Sequence, residues 1–177
     1  MKKLVFGAII IGFASLGYSQ ISDCDCGKNT IHLTGVEVSP VDHNYLNNVG
    51  GGAVSLKVLD LQNQASRYNI QKSKVYDFNS DKRKTYVVSF KGENGRILAT
   101  YNQSGKIIRA SEYYSDLILP PAVRNAAFKE HPDWTLYGTK YSVNFDGKNA
   151  KKKYQLQMKK NNEKENLNYN TDGRRLN

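Results

Sequence analysis

The sequence is poor in the residues that usually advertise chemistry. It has two cysteines, four prolines, one tryptophan and three histidines in 177 residues. There is no Gly-x-Ser-x-Gly elbow, no His-Glu-x-x-His pair and no glycine-rich loop followed by Lys and Ser or Thr, so nucleophile-elbow hydrolases, zincins and P-loop enzymes are excluded. His32, His43 and His131 form no close ligand pair, and His131 reads as the last residue of a helix before Pro132. Gly50-Gly51-Gly52 lacks a following Lys and reads as a break before a helix. Catalytic residues, a metal site and a cofactor site are therefore not expected.

Acidic residues are also scarce. Lys and Arg number 26 against 16 Asp and Glu, a formal charge of +10. Hydrophobic residues at 39% and twelve Tyr nevertheless match a folded globular chain rather than a disordered one, and the length suits one ordinary domain or two very small ones.

Beyond the first residues there is no long apolar run. Lys2 and Lys3, the apolar stretch from Leu4 to Ala14 and the small residues of Gly17-Tyr18-Ser19 predict a secretory signal peptide over 1–19. The apolar stretch is shorter than the about 20 residues a spanning helix needs. Export to the periplasm or medium is expected, with a soluble mature chain that has no transmembrane segment and a formal charge of +8 once Lys2 and Lys3 are lost. Cys24 and Cys26 then fall in an N-terminal arm, 20–48. A disulfide between positions i and i+2 closes too short a loop to staple a core, so the pair is expected to form a local or intermolecular disulfide, and two thiolates without further ligands leave a zinc site half built.

What is present is an internal repeat. Lys84, Tyr86, Lys91, Asn94, Tyr101, Asn102 and Gly105 recur as Lys152, Tyr154, Lys159, Asn162, Tyr169, Asn170 and Gly173, all shifted by 68 positions. Val54, Val58, Leu61, Ala65 and Tyr68 share one helical face; Pro120-Pro121 and Pro132 bracket a second, Ala-rich helix at the same offset. Alternating runs follow each: Tyr86, Val88 and Phe90, then Ala99 and Tyr101; Tyr141, Val143 and Phe145, then Tyr154, Leu156 and Met158, then Leu167 and Tyr169. Period two with one apolar face predicts half-buried strands, with Asn-Gly, Ser-Gly and Asp-Gly turns between them. The expected fold is α+β, two tandem helix-plus-antiparallel-sheet units over 49–112 and 113–177. Trp134 and Tyr137 are expected to pack the helix end onto the sheet, and Tyr113 and Tyr114 to lie in the link between units with one of them exposed.

Leu119-Pro120-Pro121 with its short helix, His131-Pro132-Asp133-Trp134 leading into a strand, Tyr154, and the closing Tyr169 to Leu176 with its Asp-Gly turn resemble the exported PepSY-like, or beta-lactamase-inhibitor-like, proteins of Bacteroidota, over roughly Ala53 to Asn177. The resemblance implies a helix laid on an antiparallel sheet in tandem copies, and binding or inhibition of another protein. The Cys-Asp-Cys arm and the Lys-rich second unit depart from that pattern, so the partner's identity is not carried over.

The polar strand positions suggest where binding would occur. If Tyr154, Leu156 and Met158 face the helix, Gln155, Gln157 and Lys159 face away, as do Lys164, Asn166 and Asn168 on the next strand; Lys91 and Arg96 are the equivalents in the first unit. This open face, with Lys148, Lys151, Lys152 and Lys153 at its rim, is the expected docking surface for an unknown envelope protein with an acidic surface. The alternative is a structural envelope protein that associates with acidic glycan or with itself. Nucleic acid is not an expected partner, because the chain is read as exported and its Lys residues are spread over turns and strand edges.

Overall fold

The alternating runs form strands that pair strictly in chain order. The structure is a computed structural model that describes residues 40–51, 54–81 and 83–176. The expected signal peptide, most of the arm, and Cys24 and Cys26 lie outside the described residues. Among the described residues the elements are α1 (His43–Val49), α2 (Leu56–Arg67), β1 (Tyr86–Gly92), β2 (Gly95–Tyr101), β3 (Ile107–Ser115), α3 (Pro121–Glu130), β4 (Thr135–Phe145), β5 (Ala150–Lys160), β6 (Glu163–Tyr169) and β7 (Arg175–Leu176). The strands make one seven-stranded antiparallel sheet in the order β1 to β7, so the fold is α+β with the helices on one face. No helix among the described residues is long and apolar enough to cross a membrane.

Side-chain parity sets the core. Residues that alternate inward stack across strands: Tyr86 opposite Tyr101, Tyr114 opposite Tyr141, Tyr141 opposite Tyr154, and Tyr154 opposite Tyr169. The rings of Tyr141 and Tyr154 stack with centroids 4.4 Å apart, which adds to the burial of two large rings. Against this tyrosine ladder α2 lays Val58, Leu61 and Ala65, one turn apart, with Ser55 accepting from the Lys57 amide at its start. Helix α3 opens on Pro121, whose missing N–H costs nothing in a first turn, and buries Val123 and Ala127. Its first turn rests on the β6–β7 turn: a Cβ at Gly173 would lie 2.6 Å from the Ala122 carbonyl oxygen.

Helix α1 was not foreseen within the arm. Asp42 caps it by accepting from the Tyr45 amide through Oδ1 and accepts from the Ile107 amide of β3 through Oδ2 at 2.8 Å. Tyr45 and Val49 are fully buried.

Separate tandem units are not evident, because β3 and β4 pair from Ala110–Phe145 to Ser115–Lys140 and join everything into one sheet. The expected boundary at 112/113 falls inside β3, so Tyr113 and Tyr114 are strand residues rather than a link; Tyr114 is buried and Tyr113 exposed. The repeat survives locally. Hairpin β1–β2 and hairpin β5–β6 have matching registers, and the turns after β2 and β6 share their backbone bonds, with Asn102 and Asn170 each accepting at Oδ1 from the amides two and four residues on. Strand β4 has no counterpart, since the positions 68 earlier hold the end of α2 and a 3-10 turn at Ile70–Lys72.

Candidate functional site

The strand parity brings the expected surface residues onto the face turned away from the helices. Gln155 lies opposite Asn168, Gln157 opposite Asn166 and Lys159 opposite Lys164 on β5–β6, while Lys91 lies opposite Arg96 on β1–β2. They form two groups, one toward each side of the sheet, with β3 and β4 between. Lys151 and Lys153 share this face, but Lys152 alternates to the helix side, where it donates to the Gly50 carbonyl at the end of α1; its rim position is corrected. Tyr137 is also corrected. It sits at a register irregularity between Leu136 and Gly138, is 45% exposed, and turns its ring to the open face under the Lys164 ammonium at 5.8 Å. Trp134, as expected, is partly buried against the core and meets His131 edge-on at 5.4 Å.

Charge is segregated between the two faces. The carboxylates carried by the strands are Glu112, Glu163 and Glu165, and all three have the parity of the helix side. The open face carries Lys91, Arg96, Arg109, Lys140, Lys151, Lys153, Lys159 and Lys164. Several cations elsewhere find partners: Lys57 pairs with Glu93, Lys84 with Asp77, Lys160 with Asp133, and Arg175 with both Glu130 and Glu165. None of the open-face cations forms an ion pair among the described residues. Lys91–Arg96 and Lys159–Lys164 are moreover like charges directly opposite one another, an arrangement that costs sheet stability.

The face is not flat. One row across the strands runs Ser89, Leu98, Ser111, Asn144, and the neighbouring row Lys91, Arg96, Tyr113, Ser142. Serines beside long side chains leave a depression of about 460 Å³ over β1–β4, with Leu98 in its lining. Val87 at 61%, Leu98 at 49% and Tyr113 at 41% exposure give this half an apolar character that the amide-rich β5–β6 half lacks. Leu98 is open-faced by strand alternation alone, but Ser111 and Asn144 carry no signal along the chain, and Tyr113, expected in a link, joins them only through the pairing of β2, β3 and β4.

On the helix side the strongest polar feature is Glu112. It is 3% exposed and accepts from Tyr45 at 2.6 Å, Gln62 at 2.8 Å and Tyr114 at 2.8 Å. Burial raises its carboxyl above the ordinary carboxylate range, against the lowering pull of those three donors and of Lys152. Burial likewise lowers the Lys152 ammonium. Tyr45 and Tyr114 are pushed up by burial and by the adjacent carboxylate, so they remain donors, and the cluster acts as a tie between helices and sheet. His43 is exposed and His131 lies 4.0 Å from Glu165, beside Arg175. No group of three His, Cys, Asp or Glu among the described residues could hold a metal ion. Comparison with family models, curated proteins and solved structures finds no match to this chain.

Proposed function

We propose that the chain is an exported, non-enzymatic binding module that docks an acidic protein partner on the open face of its sheet, in the manner of the PepSY-like, beta-lactamase-inhibitor-like proteins it resembles, with two tandem units of which the matching hairpins are the trace. The observation that carries this reading is the segregation of charge: among the described residues every strand carboxylate is on the helix side, while the open-face cations form no ion pair. Such a face attracts an acidic surface at long range and leaves its own cations free to pair with it. Where partner binding and stability conflict, as at Lys159 opposite Lys164, the arrangement costs the free protein and serves the complex.

The test is binding to a carboxylate-rich polypeptide such as polyglutamate, followed by calorimetry against ionic strength. Lys91→Gln with Arg96→Gln, and separately Lys159→Gln with Lys164→Gln, should each weaken binding and flatten its salt dependence. Binding unaffected by all four changes would reject the open face.

A second reading, association with acidic glycan, is favoured by the amides of Gln155, Gln157, Asn166 and Asn168, which lie side by side next to Tyr137 and Lys164. Amides offer donors and acceptors together, as sugar hydroxyls do. A uronic-acid polymer that outcompetes polyglutamate and is lost on Gln157→Ala with Asn166→Ala would move the weight to it.

A further inference from the structure

Building on the open-face reading, we propose that the partner enters through a peptide segment that places one large apolar side chain over Leu98 in the depression on β1–β4, with carboxylates on either side of it. The depression has cations at both ends. Lys91 and Arg96 lie opposite one another in the row to one side, Arg109, which faces Thr100, stands in the row on the other, and Lys151, which faces Asn144, ends the Leu98 row on β5 with Asp146 nearby. Between them the surface is apolar or neutral, because Ser89 and Ser111 flank Leu98 on the neighbouring strands. Tyr113 forms one wall, its ring held by the Arg96 guanidinium at 6.0 Å. An interface patch of this kind, with an apolar and aromatic centre and a charged rim, matches the anatomy of protein docking sites, where the centre supplies affinity and the rim supplies steering. The complementary ligand is therefore acidic at its flanks and apolar in the middle. At about 460 Å³ the depression admits a few side chains, not a folded surface.

The proposal separates from the general open-face reading by experiment. Two short synthetic peptides are titrated into the isotopically labelled protein and followed by amide NMR: one of glutamates with a single central Phe, the other of glutamates with Ser in that place. The Phe peptide should bind about fivefold more tightly or better, the size expected from partly burying one such side chain, and should move the amides of Leu98, Ser111 and Asn144. Leu98→Ser should remove that advantage while leaving the affinity for the Ser peptide unchanged. Arg96→Gln should weaken both peptides. Equal affinity for the two peptides, or shifts confined to β5–β6, would overturn the depression as the anchor site and leave the broader face intact. If neither peptide binds even at low salt, both readings fail. A lipid-like ligand is distinguished by adding a medium-chain fatty acid, which displaces the Phe peptide only if the pocket recognises an acyl chain instead of a polypeptide, and such displacement at lower concentration than the peptide itself would also reject the proposal. The thermal melt of Leu98→Ser checks that the variant is folded, as expected for a half-exposed side chain.

Discussion

The phenol of Tyr45 on α1 donates a 2.6 Å hydrogen bond to Oε1 of Glu112 on β3, joining a seven-residue helix to the middle of the sheet. Gln62 of α2 donates to the other carboxylate oxygen, so one side chain ties both helices to the strand. A short helix has little intrinsic stability in water, and its position here depends on this tie and on Asp42. Tyr45→Phe should cost about 1–3 kcal/mol, the range for leaving one buried hydrogen-bonding group without its partner, measured by urea unfolding. Glu112→Ala should cost more, because it strands the Tyr45, Tyr114 and Gln62 donors in the core. Losses below those of a surface substitution would show that the tie is not what seats α1.

The same carboxylate gives stability a pH dependence of definite sign. Burial raises the Glu112 carboxyl above its ordinary 4.5 in the folded protein. Between 4.5 and the raised value the folded state holds a proton that the unfolded chain has released, so stability falls as the pH rises through that window. The Lys152 ammonium nearby, itself lowered by burial, opposes the effect without reversing it. Glu112→Gln cannot ionise and should lack this decline. Urea midpoints of the two proteins from acid to neutral pH should diverge as the pH rises; parallel profiles would mean that the site does not titrate differently in the two states.

Lys159 faces Lys164, and among the described residues neither forms an ion pair to relieve the repulsion. Lys159→Glu converts the pair to opposite charges and should stabilise the fold by about 0.2–1 kcal/mol, with the gain shrinking as salt is added. The same variant should bind acidic polypeptide more weakly. Thermal melts at two ionic strengths, set beside the binding titration, check both halves. A variant that is less stable and binds less would place Lys159 in the packing of the sheet instead of on a docking surface.

Much of the fold is legible along the chain because it obeys simple periods. Val58, Leu61 and Ala65 recur one turn apart and bury together; Tyr154, Leu156 and Met158 alternate and do the same. That parity also placed Gln155, Gln157 and Lys159 on the open face. The features that escaped depend on contacts between distant residues. Helix α1 is too short for a period to register, and its cap, Asp42, completes its role on Ile107 of another element. Strand β3 carries a glutamate at an inward position, which reads as an exposed residue until Tyr45, Gln62 and Tyr114 are found around it. Tyr137 changes face because of a register irregularity, which no alternation rule anticipates. The depression around Leu98 belongs to four strands at once and has no linear signature. The matching hairpins misled in a different way: the repeat is real at the level of turns and registers, yet β4 and the β3–β4 ladder merge both halves into one sheet.

Gly105 and Gly173, equivalent in that repeat, offer a direct measure of how α3 is seated. Both have φ of +80°, where an L side chain is strained. At Gly105 an added Cβ would meet only Ile70 at 3.9 Å, so Gly105→Ala should cost about 1–2 kcal/mol from the backbone alone. At Gly173 the same Cβ would fall 2.6 Å from the Ala122 carbonyl oxygen and 3.4 Å from the Ala126 methyl, and helix backbone cannot swing aside as a flexible side chain can. Gly173→Ala should therefore cost about 1–3 kcal/mol beyond its partner, the size of an overpacked contact. It should also alter the fluorescence of Trp134, the one tryptophan, which follows α3 and packs beside its last turn. Gly105→Ala should leave that signal unchanged. Equal losses with an unaltered Trp134 signal would mean that α3 does not rest on the final turn, and that the two turns differ in nothing but their sequence.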